Sequence, residues 1–257
     1  MGLRKILMTA AVAGITACAT PQSKSSHIPY DPYDISQAHL KMEELLVEFY
    51  KAEYDNIEKQ FQGFKIGNGY FIIPWHVFGI REDRQKEMAG LGPGYDSRTI
   101  INNYIAMDRN RKPYFLDEKS FCWVESIDAA VIREKNPQDK DVYLKAASPK
   151  EEDHVILMSI EEGGILYRYG KVKILAEGKK FKVNGVNTSI NNVFETGIRG
   201  KIGDSGSWLL DNNGHLVGMV IYGQGPKGSY RKENLGAISS VNFKLLSQKC
   251  NIDIRIK

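Results

Sequence analysis

The sequence predicts an all-β protein, built as a sandwich or as barrels, with a helix before the strands and a short helix after them. Its 257 residues are 42% hydrophobic and 26% charged, which is the profile of an ordinary globular protein. Short apolar runs alternate with turns rich in Gly, Asn and Pro, a pattern typical of many short strands. The runs cover residues 63–73, 127–133, 154–160, 165–175, 179–184, 207–211, 216–223 and 234–241.

Composition and charge exclude several other classes of protein. The profile does not fit a disordered chain, a collagen-like fibre, a coiled coil or a small disulfide scaffold. The net charge of +4 comes from 35 basic and 31 acidic side chains without a long Lys/Arg run, which argues against a nucleic-acid partner. No pair among the three cysteines has the spacing of metal ligands, so no metal site is predicted.

Residues 1–17 have the features of a bacterial lipoprotein signal peptide. Arg4 and Lys5 precede an apolar core, residues 6–15, that is too short to span a bilayer. The letters ITAC, ending at Cys18, then resemble the lipoprotein box, in which the chain is cut before a cysteine that becomes lipidated. The alternative is an ordinary cleaved signal followed by a chance cysteine.

Lipidation would hold the protein on a membrane of the bacterial cell envelope, since several acyl chains give lasting attachment. Ala19 after the cysteine, rather than aspartate, favours the outer membrane. Cys122 and Cys250 then lie in an oxidising compartment and can pair, although the sequence alone does not show a disulfide.

The chain between the signal and the strands divides into two segments. Residues 18–35 are dominated by Pro, Ser and Asp and are interpreted as a tether. Residues 36–60 predict an amphipathic helix, because apolar side chains recur at helical spacing without Gly or Pro, and Asp34 or Ser36 can cap it. Packing against the globular body is favoured over docking to a partner protein.

The remainder divides into two halves, residues 61–133 and residues 153–257. Residues 134–152 are interpreted as the connector between them. Residues 80–120 are irregular and charged and are predicted to form loops. The run NFKLLSQK after Val241 predicts the C-terminal helix.

The sharpest chemical signal is the motif GDSGS, with Ser205 at its centre. Gly203 and Gly206 permit backbone conformations closed to other residues, so they can place the serine on a tight turn before a hairpin. Backbone N–H groups of Gly203 and Ser205 can then stabilise an oxyanion. A serine hydroxyl also needs a base to take its proton, and histidine is the usual one.

His76 is the candidate base because it ends an apolar run, GYFIIPWHV. The imidazole needs an orienting carboxylate, and Asp128 interrupts the apolar segment IDAAVI, where an unpaired carboxylate would be costly. The alternative is a purely structural role for both residues, with His76 packed after the strand and Asp128 facing solvent at a strand edge. The other four histidines are interpreted as surface residues: His27, His39, His154 and His215.

The order His76, Asp128, Ser205 is that of chymotrypsin rather than of subtilisin or the α/β-hydrolases. The chain resembles the trypsin/chymotrypsin-like serine proteases of the PA clan over residues 63–250. GDSGS is similar to their GDSGG, and DAAVI to the segment that carries their aspartate. GMVIYG is similar to their substrate-binding strand, and LGAISSV to the next strand of the pocket.

This resemblance implies two six-stranded antiparallel barrels with the catalytic groups between them, and no cofactor. His76 and Asp128 would come from the first barrel and Ser205 from the second. It further implies peptide or protein substrates, bound along β-structure formed by Val220, Ile221, Tyr222 and Gly223, and it places Arg199 near the base of the substrate pocket. A solvated loop arginine is the alternative for Arg199.

The sequence departs from the family at several positions. Pro74 and Trp75 replace small residues before the histidine, and Ile221 replaces a serine that supports the aspartate. No activation site is visible that would free an N-terminus to pair with Asp204, so this aspartate needs another partner. The leading hypothesis is an envelope-tethered serine endopeptidase. The rivals are a catalytically silent protein of the same fold that binds a peptide or an envelope partner, and a structural lipoprotein that docks through its helix.

Overall fold

A computed structural model describes most of the chain from residue 37 onward. The described ranges are 37–53, 56–77, 101, 103–137, 142–161, 164–176, 179–183, 186–190, 192–224 and 231–255. The predicted signal peptide 1–17, Cys18 and the tether 18–35 therefore lie outside the described residues, as do residues 80–100 of the predicted loop region. None of the helices in the described ranges is long and apolar enough to cross a membrane.

The first barrel closes through six antiparallel strands in the order β1-β2-β3-β6-β5-β4. The strands are β1 (Leu46–Glu53), β2 (Asn56–Gly67), β3 (Tyr70–Pro74), β4 (Tyr104–Asp108), β5 (Pro113–Val124) and β6 (Ala129–Glu134). Alternate residues point inward and fill the barrel, as is usual for small barrels. Aromatic rings dominate this interior, with Phe49 stacked on Phe61 at 4.7 Å between ring centroids.

The second barrel closes in the order β11-β16-β14-β13-β7-β8, and its pairs are also antiparallel. Its strands are β7 (His154–Glu161), β8 (Gly164–Ala176), β11 (Val193–Thr196), β13 (Trp208–Leu210), β14 (Leu216–Gln224) and β16 (Asn234–Ser239). Two small sheets accompany it, one from β9 (Lys179–Val183) with β10 (Val186–Ile190) and one from β12 (Gly200–Lys201) with β15 (Arg231–Lys232). The two closed barrels confirm the predicted fold class.

Each barrel has an apolar interior of its own, and a further apolar cluster lies between the two barrels. It joins the outer faces of both barrels to the C-terminal helix Phe243–Cys250, which follows a 3₁₀ turn at Ser240–Asn242. Phe64 of the first barrel meets Trp208 of the second edge-on, with ring centroids 3.5 Å apart, and Phe243 of the helix lies 6.0 Å from Phe64. The barrels are thus docked through a continuous core.

A disulfide joins Cys122 of β5 to Cys250 at the end of the C-terminal helix. The sequence left this pairing open. The bond ties the first barrel to an element that follows the last strand of the second barrel.

The predicted helix over residues 36–60 is wrong in its length. Within the described residues of this range a helix forms only at Gln37–Glu43, and residues 46–53 and 56–60 belong to β1 and β2, so the first barrel begins at Leu46 rather than at residue 61. Both faces of β1 are buried, with Leu46 in the cluster between the barrels and Val47 inside the first barrel. Apolar residues therefore fall on both faces of the strand, and their spacing imitates that of a helix.

Two further strand predictions need correction. The run 63–73 is a hairpin rather than one strand, because Asn68 (φ 51°) and Gly69 (φ 73°) form a left-handed turn between β2 and β3. Part of the predicted loop region 80–120 is strand, since β4 and most of β5 fall within it. The middle of β5 carries charged residues because it is only partly covered, which hid its periodicity. The predicted connector falls between β6 and β7.

Candidate active site

His76 and Asp128 lie at adjacent strand ends in the first barrel. His76 sits in a 3₁₀ turn, Trp75–Val77, directly after β3, and Asp128 directly precedes β6, the neighbour of β3 in the sheet. The N–H of Trp75 donates to the Asp128 carbonyl at 3.0 Å, and this hydrogen bond joins the end of β3 to the start of β6. The antiparallel pairing of β3 with β6 therefore brings together two residues that are far apart in the sequence.

The Asp128 carboxylate holds His76 through both of its oxygens. Oδ2 lies 2.7 Å from His76 Nδ1, and Oδ1 accepts from the His76 backbone N–H at 2.7 Å. Asp128 is buried, so this charge is paired as the cost of burial requires. The backbone N–H of His76 thus donates to the second carboxylate oxygen of Asp128. It gives the aspartate a second hydrogen bond, although Ile221 replaces the serine that supports the aspartate in the similar family.

This pairing shifts the pKa of His76. Burial lowers the pKa of the imidazole, but the charge and the hydrogen bond of Asp128 together outweigh it and raise the pKa above its ordinary value. Asp128 also orients the ring, because a proton on Nδ1 directed at the carboxylate leaves Nε2 free to accept one.

Trp75, the unexpected bulky neighbour of His76, is accommodated by stacking. Its ring lies parallel to that of Trp123 on β5, with centroids 4.9 Å apart and 7° between the planes. Phe121 completes the cluster at 6.0 Å from Trp75.

Ser205 lies on a tight turn between β12 and β13. The flanking glycines Gly203 (φ 95°) and Gly206 (φ 86°) both adopt left-handed conformations, as the sequence predicts for such a turn. A side chain at residue 206 would place its Cβ 1.6 Å from the Gln62 carbonyl oxygen and 3.1 Å from Pro74 Cδ. The turn is therefore pressed against the first barrel, beside the strand end that carries His76.

The backbone N–H groups of this turn fall into two sets, those bonded to carbonyls and those left available. The N–H groups of Asp204, Gly206 and Ser207 donate to carbonyls of Lys201, Val220 and Asp204 at 3.2, 2.8 and 3.0 Å. Among the described residues, the N–H groups of Gly203 and Ser205 have no such acceptor. These are the two groups that the sequence assigns to an oxyanion hole.

Asp204, which the sequence left without a partner, pairs with Arg168 of β8. Two guanidinium nitrogens of Arg168 contact the two carboxylate oxygens of Asp204 at 2.8 and 2.5 Å. The Lys201 N–H donates to Asp204 at 2.7 Å, and Arg168 also donates to the Arg199 carbonyl at 3.0 Å and the Ser159 hydroxyl at 3.2 Å. A buried carboxylate is thus neutralised from within its own barrel.

Sequence reasoning missed Arg168 although a signal was present. The arginine interrupts the strand sequence LYRYG, and the argument that singled out Asp128 applies equally to a cation among aromatic and aliphatic residues. His39 was interpreted wrongly as a surface residue. It is buried, and its Nε2 lies 2.9 Å from the Asp211 carbonyl oxygen.

The predicted substrate-binding residues fall in two places. Val220, Ile221, Tyr222 and Gly223 lie on β14 beyond Met219, the last β14 residue that pairs with β13. Val220 contacts the serine turn directly through its carbonyl. Arg199 is exposed, and its carbonyl faces Arg168.

Two closed six-stranded barrels that pack against each other are the fold of trypsin/chymotrypsin-like serine proteases. Solved structures agree. The active form of the Rv3671c protease from M. tuberculosis matches with a TM-score of 0.60 at 16% identity, over 91% of this chain and 95% of that chain. The HtrA-type protease AlgW with a decapeptide matches with a TM-score of 0.61 at 14% identity, over 85% of this chain and 67% of that chain.

At these identities the likeness establishes the fold. No family model matches the chain, and no curated protein sequence matches it.

Proposed function

We propose that this protein is a serine endopeptidase that uses His76, Asp128 and Ser205. The observation that carries the proposal is the His76–Asp128 pair, held by two hydrogen bonds of 2.7 Å, beside a serine turn whose two candidate oxyanion donors are available. Acyl transfer by a serine triad uses this arrangement, in which a carboxylate orients the histidine that takes the serine proton.

In the proposed reaction, Ser205 Oγ bonds to the carbonyl carbon of a peptide while its proton moves to His76 Nε2. The carbonyl oxygen becomes an oxyanion that accepts hydrogen bonds from the N–H groups of Gly203 and Ser205. The C–N bond breaks, the leaving amine takes the proton from His76, and an acyl-enzyme remains. Water then loses a proton to His76 and attacks the ester carbonyl carbon. The C–Oγ bond breaks, Ser205 Oγ takes the proton back from His76, and the acid product leaves.

The proposed substrate is an extended peptide segment. AlgW was solved with peptides. The N–H and carbonyl of Val220 bond to the serine turn, and the edge of β14 beyond Val220 can add a substrate strand by main-chain hydrogen bonds. Ile202, 61% exposed beside Gly203, offers an apolar contact at the edge of the site.

We also propose that the enzyme is tethered to the bacterial envelope through a lipid on Cys18. The signal-like residues 1–17 and the lipobox resemblance support this, and the Cys122–Cys250 disulfide suits an oxidising compartment. Metabolic labelling with a palmitate analogue tests it. Label and membrane association in the wild type should both be lost in Cys18→Ser, and an unlabelled wild type would contradict the tether.

The proposed activity is tested by mass spectrometry after treatment with a fluorophosphonate, which reacts only with an activated serine. We expect a single adduct on Ser205 that is absent from Ser205→Ala. His76→Ala should slow the labelling by several orders of magnitude while thermal unfolding stays cooperative. Folded wild-type protein without an adduct would contradict the proposal and favour a binding role for the same fold.

A further inference from the structure

Gln62 on β2 is a buried polar residue of the first barrel that contacts the serine turn of the second. It is 1% exposed, although most glutamines are solvent-facing. Its backbone N–H donates to the Ser205 carbonyl at 2.8 Å, and its side-chain Nε2 donates to the Gly203 carbonyl at 3.3 Å. Its Oε1 accepts from the Ile160 N–H of β7 at 2.8 Å.

The orientation of the Gln62 amide is fixed by its two partners. The Ile160 N–H can only donate and the Gly203 carbonyl can only accept, so oxygen must face Ile160 and nitrogen must face Gly203. The Ile160 N–H is available because β13 begins at Trp208, which pairs with Met158, two residues before Ile160 on β7. The Gln62 side chain therefore accepts a hydrogen bond from a β7 N–H group that lies beyond the pairing with β13. This hydrogen bond anchors the side chain.

Three consecutive residues of the turn are therefore held from outside the turn. Gly203 and Ser205 are bound through their carbonyls by Gln62, and Asp204 is bound through its carboxylate by Arg168. External support is needed here because Gly203 has a positive φ and open space around its Cβ position, so its own packing does not restrict it. Rotation of the peptide after Gly203 would break its bond with Gln62.

We infer that Gln62 is a positioning residue for the oxyanion hole, which couples docking of the two barrels to the geometry of the Gly203–Ser205 turn. This inference rests on the proposed protease activity. It gives the first barrel a second role beyond supplying His76 and Asp128. Gln62 and Arg168 together hold the turn in place, so that pairing of Asp204 with a freed N-terminus is not needed.

The test compares Gln62→Glu with Lys59→Met. The glutamate keeps an acceptor for the Ile160 N–H but places a carboxylate oxygen against the Gly203 carbonyl. Lys59 also bridges the barrels, through a 2.5 Å bond to the Ile160 carbonyl and a 2.7 Å ion pair with Glu48, but it has no contact with the turn. Lys59→Met is therefore a matched control for lost contacts between the barrels.

In Gln62→Glu we expect kcat on a peptide substrate to fall roughly 10- to 100-fold, with KM within about twofold. The loss should be smaller than the roughly 100- to 1,000-fold fall in kcat that follows removal of an oxyanion donor, because the donors are displaced in this variant rather than removed. Lys59→Met should lower the unfolding midpoint while kcat stays within about twofold. Gln62→Asn, which is shorter by one methylene, should lose kcat as well. Equal kcat losses in the glutamate variant and the lysine variant would overturn the inference.

A second measurement separates this inference from the proposed activity. In a Ser205→Ala background, amide hydrogen exchange of the segment 201–207 should be faster with Gln62→Glu than with Lys59→Met. This readout does not need turnover. If wild-type Ser205 fails to react with the fluorophosphonate, the proposed activity fails, while unchanged exchange in the glutamate variant overturns the role of Gln62.

Discussion

The two halves of the site are held in place by different means. His76 and Asp128 stand at the ends of two strands that pair with each other, so ladder bonds and their own contacts at 2.7 Å hold them within one barrel. The serine turn has left-handed glycines on both sides of Ser205 and is held by side chains that come from elsewhere.

Because of this difference, substitutions in the two halves should have different effects on folding and on activity. A change at the His–Asp pair should alter the proposed chemistry with little effect on the barrel around it. A change at the supports of the serine turn alters folding and chemistry together, because the same contacts bury charge and dock the barrels. Substitutions in the two halves can separate these two kinds of damage.

The largest expected effect is on the chemistry of the first half. Asp128→Asn should lower kcat/KM about 10⁴-fold, because the amide stabilises the wrong histidine tautomer and cannot stabilise the imidazolium. Steady-state kinetics on a peptide measure the loss. Thermal unfolding should show a midpoint close to that of the wild type, and residual activity within tenfold of the wild type would show that Asp128 does not orient the base.

The next largest effect is on the support of the second half. Arg168→Met leaves the Asp204 charge buried without its partner, which should cost about 3–5 kcal/mol in the free energy of unfolding and also reduce activity. Urea denaturation measures the cost. Lys171→Met on the same strand is the control, since its ion pair with Glu152 is exposed and should contribute less than about 1 kcal/mol.

A double variant sharpens this prediction. Adding Asp204→Asn to Arg168→Met removes the unpaired charge, so part of the lost stability should return. Stability that falls further in the double variant would mean that Asp204 contributes through contacts other than its charge.

The sequence singled out the candidate residues of both halves but not the side chains that support the serine turn. Ser205, His76 and Asp128 could be proposed as candidates because each interrupts a local pattern that is readable within a few residues. Gln62 could not be found, because its partners Gly203 and Ile160 are distant in the chain and a glutamine in a strand has an ordinary solvent-facing interpretation. Arg168 was detectable as a cation in a buried strand, but its pairing with Asp204 depends on tertiary structure.

The fold shows the same division between local and distant information. The two barrels followed from a resemblance carried by short motifs, and the C-terminal helix from the local run NFKLLSQK. The strand β1 was misread as helix because burial of both its faces erased the alternation that marks a strand. Which faces are buried depends on the docking of the second barrel, and the residues of β1 do not record it.

The disulfide offers a way to weaken the joining of the barrels without touching either half of the site. It closes a loop between residues 128 positions apart, so its loss in Cys122→Ser/Cys250→Ser should cost about 2–5 kcal/mol in the free energy of unfolding. Denaturation with and without a reductant measures this in the wild type, and the double variant should not respond to the reductant. A kcat that falls more than tenfold in the folded double variant would show that the bond also shapes the site.

The smallest expected effect is a displacement of the pH profile that reports on the first half alone. Neutral His76 is the form that can take the serine proton, so kcat/KM should fall as pH drops through the His76 pKa, which Asp128 raises above its ordinary value. The charge of Asp128 stabilises the imidazolium, so Asp128→Asn should move this acidic limb to lower pH. Gln62→Glu is the more demanding comparison, because it introduces a carboxylate on the other side of the site and should move the limb far less. A limb that does not move in Asp128→Asn would mean that another group titrates in the free enzyme.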